Sequence, residues 1–210
     1  MPPIVPTLHR EEAAWAEARL LIGVDEVGRG PLAGPVVAAA VVFAAGTVSI
    51  DGVRDSKTLP PARREALAVA IRSAALCCAV GAASAREIDR LNIRVATALA
   101  MHRAIRRVLL RHAGAHRILI DGLPLPEVGY PHDALVDGDA HCLSVAAAGI
   151  VAKTVRDRLM RQLARRYPAY AWDTNMGYAT AAHRHALRLA GPTPHHRQSF
   201  APVAQLAVFF

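Results

Sequence analysis

Cysteine is scarce in this 210-residue chain, which has three cysteines, and two of them, Cys77 and Cys78, are adjacent. This spacing matches no zinc-binding motif, and any single disulfide bond would leave one thiol over. The sequence therefore argues against a disulfide-stapled secreted domain and favours a reduced, intracellular protein.

Long apolar segments are also missing. One uncharged stretch, residues 31–50, has about the length of a membrane span, but prolines and glycines interrupt it. It fits a turn followed by a buried strand better. The first twenty residues contain acids, a histidine and prolines, unlike the basic and apolar start of a secretory signal. We therefore expect a soluble, cytoplasmic protein without a membrane segment.

Lysine is the third scarce residue, with only Lys57 and Lys153 among the 25 basic side chains, so the other 23 are arginines. Acidic residues number 17, which leaves a formal net charge of +8. An excess of positive charge favours a polyanionic partner such as DNA or RNA. The alternative is a general arginine bias in the source proteome.

Apolar periodicity predicts five strands and several helices. The predicted strands are 20–24, 36–43, 77–83, 117–121 and 134–139, and the predicted helices are 61–76, 84–92, 93–112, 143–166 and 180–189. Strands gathered early that then alternate with helices indicate an α/β domain with a mixed sheet. The chain length fits one domain, preceded by an N-terminal extension at residues 1–19.

The helical region at 84–112 has two further features. Ser84 and Glu87 have the spacing of a capping box. The outer face of the second helix is rich in arginine, namely Arg94, Arg103, Arg106, Arg107 and Arg111. Such a face is usually solvated, and contact with nucleic acid is the alternative.

Four acids share a position type, because each lies at the C-terminal end of a predicted strand: Asp25, Glu26, Asp121 and Asp139. Ligand sites form at strand ends in α/β sheets, so these acids can converge. Clustered carboxylates repel one another, and hard divalent ions such as Mg²⁺ or Mn²⁺ relieve that repulsion. Two such ions about 3.5–4 Å apart can promote phosphodiester hydrolysis. In a basic protein this combination suggests a nuclease.

The alternative for any single strand-end acid is a turn or a helix cap. The adjacent pair Asp25 and Glu26 fits that alternative poorly, because it caps no predicted helix. The loop that follows, GRGPLAG, lacks the Gly-Lys-Ser/Thr ending of a phosphate-binding P-loop.

Eight sequence blocks occur in order between about residues 21 and 203: GVDEVGRGPLAGPVVAAAV, DSKTL, EIDRLNI, ILIDG, GDA, AKTVRDRLM, GYAT and PTPHHRQSFAPV. With these blocks the chain closely resembles the bacterial type 2 ribonucleases H, the ribonuclease HII family. The resemblance implies a ribonuclease H-like α/β fold, with a five-stranded mixed sheet flanked by helices and a small C-terminal helical part. Residues 20–210 would form the catalytic domain, and we expect a monomer.

The resemblance also implies a function. The family cleaves RNA in RNA–DNA hybrids and cuts 5′ of single ribonucleotides in duplex DNA, with Mn²⁺ or Mg²⁺ as cofactor. Carried over by motif, the catalytic, metal-binding carboxylates are Asp25, Glu26, Asp121 and Asp139.

Substrate contacts carry over in the same way. Gly28, Arg29 and Gly30 would sense the ribonucleotide through main-chain groups near its 2′-hydroxyl. Only glycine lets a main chain approach a sugar so closely, and the 2′-hydroxyl is what separates RNA from DNA. Tyr178 of the GYAT block would pack on the deoxyribose that follows.

The two lysines both fall in family blocks. We interpret Lys57 and Lys153 as phosphate or active-site contacts, with a structural bond to a loop carboxylate as the alternative. Asp157, which stands between Arg156 and Arg158, is expected to form a structural ion pair.

Two departures from the family pattern lie near these motifs. Asp137 stands where the family usually has lysine, and Gly149 stands where it usually has serine. Asp137 adds negative charge beside a predicted ligand, and we expect Asp137→Lys to be tolerated.

The remaining conspicuous residues suggest packing. The histidines lack cysteine or acidic partners at ligand spacing, so we expect surface or packing roles for His183, His185, His195 and His196, with a substrate contact as the alternative. Trp15 and Trp172 are expected to pack in the interior. Two rival functions stay open, a nuclease of the same fold acting on DNA junctions and a catalytically silent nucleic-acid-binding protein.

Overall fold

A five-stranded mixed sheet organises the fold, and the computed structural model describes residues 5–205 around it. Its strands are β1 (Leu20–Val27), β2 (Val36–Val42), β3 (Cys77–Ala83), β4 (His116–Asp121) and β5 (Asp133–Leu135). In the order β3-β2-β1-β4-β5, β1 is antiparallel to β2 and parallel to β4. β2 is antiparallel to β3, and β4 is parallel to β5. The predicted five-stranded mixed sheet is confirmed.

Helices flank the sheet and form the C-terminal part. They are α1 (His9–Ala16), α2 (Pro61–Ala74), α3 (Ala85–Leu91), α4 (Ile93–Leu109), α5 (Gly138–His141), α6 (Leu143–Arg166), α7 (Trp172–Asn175), α8 (Ala181–Ala190) and α9 (Ala201–Ala204). Short 3₁₀ turns lie at Ser56–Thr58, Pro126–Val128 and Pro168–Tyr170. In the described part of the chain, no helix is long and apolar enough to cross a membrane.

Small side chains on the sheet let α4 and α6 pack closely on its two faces. Successive side chains of a strand point to opposite faces, so Ala38 joins the apolar cluster under α4 and Val37 joins the one under α6. On β3, a Cβ added at Gly81 would collide with the Ala100 carbonyl of α4. The fit between sheet and helices therefore depends on residues with little or no side chain.

A sharp break at Asn92 separates α3 from α4. The predicted capping box of Ser84 and Glu87 is present at the start of α3. Asn92 has a φ of 67° and a ψ of 165°, outside the left-handed helical region and strained for a residue with a side chain, and its side chain accepts a hydrogen bond from the Val95 amide at 3.1 Å. One residue thus ends α3 and caps α4.

The arginines of α4 are only partly a solvated face. Arg103 donates to Glu87 at 2.7 Å, and Arg94 forms a bidentate pair with Glu127 at 2.7 and 3.2 Å. Arg94, Arg106 and Arg107 are exposed, as is Arg111 just beyond the end of α4, and Arg107 donates to the Val80 carbonyl. Several of these side chains therefore tie α4 to its neighbours.

The last predicted strand is shorter than expected, and this changes the position of Asp139. β5 ends at Leu135, Asp137 has a φ of 54°, and α5 begins at Gly138. A left-handed residue cannot continue an extended strand. The prediction that Asp139 ends a strand is therefore wrong, and this residue lies in the first turn of α5.

Helix α1 closes the N-terminal end of α6. The N-cap residue of α6, Cys142, makes no side-chain capping bond. Glu11 of α1 is fully buried, and its Oε1 accepts from the Ser144 amide at 2.7 Å and from Cys142 Sγ at 3.2 Å. A carboxylate at a helix N-terminus satisfies free amides and interacts favourably with the helix dipole. The segment before β1 therefore supplies the cap that α6 lacks.

Aromatic and histidine side chains build the core of the C-terminal part. Trp172 is fully buried, its Nε1 donates to His183 Nε2 at 3.1 Å, and that nitrogen lies 3.0 Å from His196 Nε2. Burial lowers the pKa of His183, and burial together with the neighbouring histidines lowers the pKa of His196 to about 3. Both rings are therefore neutral at pH 7. The predicted packing role is confirmed for Trp172, His183 and His196.

Candidate active site

The C-terminal ends of β1 and β4 carry three of the four predicted acids. In these neighbouring parallel strands Val24 is paired with Ile120, so the next residues, Asp25 and Asp121, lie side by side. β1 is longer than predicted and runs on beyond Glu26, where it pairs only with β2. These three acids therefore lie on hydrogen-bonded strand backbone at the C-terminal ends of β1 and β4, in the middle of the sheet.

Asp139 lies near the same strand ends, on α5. The Gly138 amide donates to Asp121 Oδ1 at 2.8 Å, which fixes the start of α5 against β4. A Cβ added at Gly138 would lie 3.2 Å from the same oxygen, so glycine permits this close approach. Asp139 follows Gly138 directly in α5, so this contact places it next to Asp121. The fold thus gathers all four predicted acids from three separate elements.

Burial and mutual repulsion raise the pKa of three of these acids. Asp25 is 8% exposed, and burial, followed by the charges of Glu26 and Asp121, raises its pKa well above the ordinary value. Burial also raises the pKa of Glu26, against the guanidinium of Arg29, which lies 3.4 Å from Glu26 Oε1. The pKa of Asp139 is raised by burial and by the Asp121 charge. Clustered pKa shifts of this kind are typical of functional sites.

The donor set fits a hard divalent cation, although the side chains are not in a coordination geometry. Carboxylate oxygens are the ligands that Mg²⁺ and Mn²⁺ prefer, and a bound cation would offset the repulsion that raises these pKa values. Within residues 5–205, no three His, Cys, Asp or Glu side chains are arranged so that they could hold a metal ion as they stand. Metal binding would therefore require the carboxylates to turn toward a shared ion.

Gly149, the departure on α6, lies directly against this cluster. A Cβ added there would collide with Oδ2 of Asp25. Glycine therefore gives this carboxylate room that a serine would occupy, whereas the other departure, Asp137, is exposed. Of the two, Gly149 has the closer contact with a predicted metal ligand.

The loop after β1 brings the predicted sugar-contact residues together. Gly28 is buried with a φ of 92°, and an added Cβ would collide with the Arg156 guanidinium. Arg29 and Gly30 are exposed, and a Cβ at Gly30 would lie 3.8 Å from the ring of Tyr178. Tyr178 is itself 47% exposed. Gly30 and Tyr178 thus form one accessible surface beside the acids, while Gly28 faces the interior.

Two fully buried arginines beneath this loop, Arg156 and Arg197, have no predicted role at the site. Their side chains donate to main-chain carbonyls of the loop. Both belong to sequence blocks of the family pattern, and that position is the signal that could have found them. In a chain with 23 arginines, residue type alone does not separate a buried arginine from a solvated one.

The two lysines lie in different surroundings. Burial lowers the pKa of Lys57, but the charges of Asp55 and Asp25 outweigh it and raise the pKa above its ordinary value. Lys153 Nζ lies 2.6 Å from Asp157 Oδ1, in an ion pair along α6. Both lysines nevertheless line one groove of about 440 Å³, together with Tyr178.

Asp157 forms the expected structural ion pair, but not with its chain neighbours. It is buried, and its second oxygen lies 2.8 Å from Nη2 of Arg64 on α2. Arg64 also donates to the carbonyls of Ser56 and Leu59 at 3.1 and 3.0 Å. The pair therefore fixes the loop that carries Lys57.

The sequence as a whole matches a known family model. The model described as Ribonuclease HII matches residues 22–203. The chain belongs to the ribonuclease HII family. As a ribonuclease HII it is a ribonuclease H, a hydrolase that acts on RNA–DNA hybrids. A ribonuclease HII from Synechococcus sp. (strain JA-3-3Ab) is 51% identical over 206 residues, covering 97% of this chain and 91% of its own length.

Solved structures share the ribonuclease HII architecture. Ribonuclease H2 from Pyrococcus horikoshii OT3 superposes with a TM-score of 0.73 at 24% identity, covering 90% of this chain and 98% of its own. Bst-RNase HIII in complex with Mn²⁺ superposes with a TM-score of 0.68 at 24% identity. The match covers 91% of this chain and 70% of the Bst-RNase HIII chain. At this identity the likeness shows the fold, and the predicted ribonuclease H-like fold is confirmed.

Proposed function

We propose that this ribonuclease H cleaves the RNA strand of hybrids and also cuts on the 5′ side of single ribonucleotides in duplex DNA. The products would carry 3′-hydroxyl and 5′-phosphate ends. One observation carries the proposal: the strand with Asp25 and Glu26 leads directly into a loop whose Gly30 lies beside Tyr178. Groups suited to phosphodiester hydrolysis and a surface suited to reading a sugar therefore adjoin each other. Such an activity would serve ribonucleotide excision repair.

The metal ligands would be Asp25, Glu26, Asp121 and Asp139. When bound, Mn²⁺ or Mg²⁺ lowers the pKa of a water and stabilises charge on phosphodiester oxygens. The Mn²⁺ complex of the structurally similar Bst-RNase HIII supports this choice of cofactor. The chain itself orients the carboxylates: the Glu26 amide donates to Asp25 Oδ1 at 2.6 Å and the Gly138 amide to Asp121 Oδ1 at 2.8 Å. Within residues 5–205, the other oxygen of Asp25 and of Asp121 accepts no hydrogen bond.

Cationic side chains around the acids would bind the phosphate backbone. Arg29 is exposed beside Glu26, and Lys57 lines the groove that also contains Tyr178. Phosphate contacts of this kind set the position of a duplex without reading its sequence. Lys153 is held by Asp157 and would add charge to the groove. The net charge of +8 supports the same polyanionic substrate.

A cleavage assay tests the proposal. The substrates are a DNA duplex with one ribonucleotide, an RNA–DNA hybrid and an all-DNA duplex, each incubated with Mn²⁺, Mg²⁺ or EDTA. We expect cleavage 5′ of the ribonucleotide and along the hybrid RNA strand, dependence on the divalent ion, and no cleavage of the all-DNA duplex. An enzyme that leaves the single ribonucleotide uncut would contradict the finer activity.

Two rivals make different predictions in the same assay. A junction-specific DNA nuclease of this fold would cut a DNA junction and leave the ribonucleotide untouched. A catalytically silent binding protein would bind all three substrates and cut none. The Asp25→Asn variant separates binding from catalysis, because we expect it to bind the RNA–DNA hybrid as the wild type does and to lose metal-dependent cleavage.

A further inference from the structure

The carbonyl oxygens of the loop at residues 28–35 are held by a buried guanidinium. Arg197 Nη2 donates to the Gly28 carbonyl at 2.5 Å, and Nη1 donates to the Arg29 carbonyl at 2.7 Å. Nε and Nη2 both donate to the Gly34 carbonyl, at 3.1 and 3.0 Å. Every nitrogen of this side chain therefore bonds to the loop.

Arg156 supports the other half of the same loop. Its Nε donates to the Pro35 carbonyl at 3.0 Å and its Nη2 to the Ala33 carbonyl at 3.1 Å. The third nitrogen, Nη1, donates to the Met176 carbonyl at 2.9 Å, two residues before Tyr178. One guanidinium thus links the loop to the segment that carries the tyrosine.

Main-chain bonds dock the loop on the C-terminal part as well. The Arg197 amide donates to the Leu32 carbonyl at 2.8 Å, and the Gly34 amide donates to the His195 carbonyl at 2.9 Å. The Leu32 amide in turn donates to the Gly177 carbonyl at 2.8 Å. The loop is therefore fixed by residues from much later in the chain. Arg197, for example, lies 163 positions after its partner Gly34 and 168 positions after its partner Arg29.

These two arginines differ from ordinary structural arginines in their partners. In the part of the chain that the structure describes, every hydrogen-bond acceptor of both guanidiniums is a main-chain carbonyl. Burial and the charge of Arg156 lower the pKa of Arg197 to about 9. A buried charge without a carboxylate partner is destabilising, which points to a role in the site rather than in stability.

The consequence is a loop with a defined polarity. Arg29 and Gly30 are exposed, and neither amide has a hydrogen-bond acceptor within residues 5–205. The Arg29 carbonyl, by contrast, is held inward by Arg197. The exposed part of the loop therefore offers donors, and the oxygen of a 2′-hydroxyl can accept from them, whereas a deoxyribose offers no acceptor at that position.

We propose that Arg197, supported by Arg156, is a specificity-determining positioning residue. By holding the loop carbonyls inward, it presents the amides of Arg29 and Gly30 to the 2′-hydroxyl of the substrate. Arg197 acts through the loop and does not touch the substrate. This inference rests on the proposed function, in which the loop reads the sugar.

The test compares binding of two fluorescent duplexes in EDTA, one all-DNA and one with a single ribonucleotide. Arg197→Lys keeps the positive charge and loses the forked geometry. The matched control is Arg188→Lys, an exposed arginine of α8 that makes the same chemical change away from the loop. Circular dichroism and thermal melting establish that each variant is folded at the assay temperature.

We expect wild-type protein to prefer the ribonucleotide duplex, and Arg197→Lys to reduce that preference by about tenfold, the equivalent of one hydrogen bond. Affinity for the all-DNA duplex should stay within about twofold, because the phosphate contacts are unchanged. Arg188→Lys should keep the preference of the wild type. Arg156→Lys should reduce it less than Arg197→Lys does, and it carries the test if Arg197→Lys does not fold.

Other outcomes overturn the inference. A folded Arg197→Lys protein that keeps the wild-type preference refutes the role of Arg197 alone. An equal loss of affinity for both duplexes assigns Arg197 a structural role only. A wild-type protein that binds both duplexes equally contradicts the proposed recognition of the ribonucleotide by the loop. The inferred role of Arg197 is then contradicted as well.

Discussion

The molecule buries polar groups in two places and satisfies them very differently. At the strand ends, Asp25 is buried among other acids, and repulsion and burial raise its pKa. In the C-terminal part, Arg197 makes four side-chain hydrogen bonds to carbonyls, and His183 and His196 are neutral and bonded to each other. In the first region the nearby guanidinium of Arg29 does not offset the burial and repulsion of the acids, whereas the three side chains of the second region all have hydrogen-bond partners.

This difference distinguishes the candidate active site at the strand ends from the C-terminal part that supports it. A cluster of like charges is stabilised by a ligand of opposite charge, so a bound cation would stabilise the acid cluster. A saturated network gains nothing from a ligand, so the C-terminal cluster serves to hold neighbouring segments in place. The predictions below disturb one region at a time.

Asp25→Asn should have the largest effect. We expect cleavage of an RNA–DNA hybrid to fall by roughly 10³-fold, about 4 kcal/mol of transition-state stabilisation, because a metal-ligand charge is lost. The melting temperature of the metal-free protein should rise by about 2–4 °C, because one source of repulsion is removed. Single-turnover kinetics and calorimetry in EDTA measure the two effects.

The control for this variant is Asp51→Asn, which changes an exposed acid in a loop. It should leave both quantities unchanged. A lower melting temperature for Asp25→Asn would show that Asp25 stabilises the fold and that the acid cluster is not under repulsion.

Asp157→Ala should be the most destabilising change among the satisfied charges. It leaves the buried Arg64 without its carboxylate partner, and we expect the free energy of unfolding to fall by about 3 kcal/mol. Urea denaturation measures the loss. The control is Glu127→Ala, which removes the partner of the exposed Arg94 and should lower stability by less than about 1 kcal/mol.

The buried histidines predict the pH dependence of the C-terminal cluster. The pKa of His196 is lowered to about 3 in the folded state, so below about pH 6.5 the unfolded chain binds the proton and the folded protein does not. The stability contributed by this residue is present above about pH 6.5 and is lost as the pH falls toward 3. His196→Asn should reduce the fall in unfolding free energy between pH 7 and pH 4.5 by about 2.5 kcal/mol. An unchanged slope would contradict a neutral His196.

Glu11→Ala should have a moderate effect, through the missing cap of α6. Its carboxylate accepts from the Ser144 amide, and removing a helix cap costs about 1–2 kcal/mol. Glu11→Gln should recover part of that loss, because its amide oxygen can accept the same bond. Glu12→Ala, on the exposed side of α1, is the control, and equal melting temperatures for Glu11→Ala and Glu12→Ala would refute the capping role.

Asp137→Lys should have the smallest effect. The residue is exposed with a left-handed φ of 54°, a conformation that aspartate tolerates better than lysine does, and we expect a loss of stability of less than about 1 kcal/mol. Cleavage activity should stay within about threefold of the wild type, because the side chain is exposed and its charge adds less to the raised pKa of Asp139 than burial and Asp121 do. A large loss of activity would show that Asp137 contributes to metal binding.

The sequence predicted the elements whose determinants are local. Helix α6 begins and ends as predicted, at Leu143 and Arg166, because its run of small residues suits a packed helix and Tyr167-Pro168 stops it. The capping box of α3 depends only on Ser84 and Glu87. For Asp25, Glu26 and Asp121, strand-end position and motif pointed to the same residues, whereas Asp139 lies in α5 and only its motif pointed to it.

Features fixed by distant partners could not be predicted. Asp157 pairs with Arg64, which lies 93 positions away. Arg197 bonds to Arg29 across 168 positions, and nothing local to either residue indicates this. The placement of Asp139 in a helix was missed because the break depends on one backbone angle, at Asp137.

Helix α6 connects the features that these predictions disturb. Its 24 residues span about 36 Å at 1.5 Å per residue, with Glu11 at its first turn, Gly149 against Asp25, and Arg156 under the loop. A shift of this helix along its axis would displace the proposed metal ligand Asp25 and the proposed sugar-contact loop together. We therefore expect substitutions that move α6 to change the catalytic rate and the discrimination between ribose and deoxyribose together. Natural variation in this helix could not easily change one property without the other.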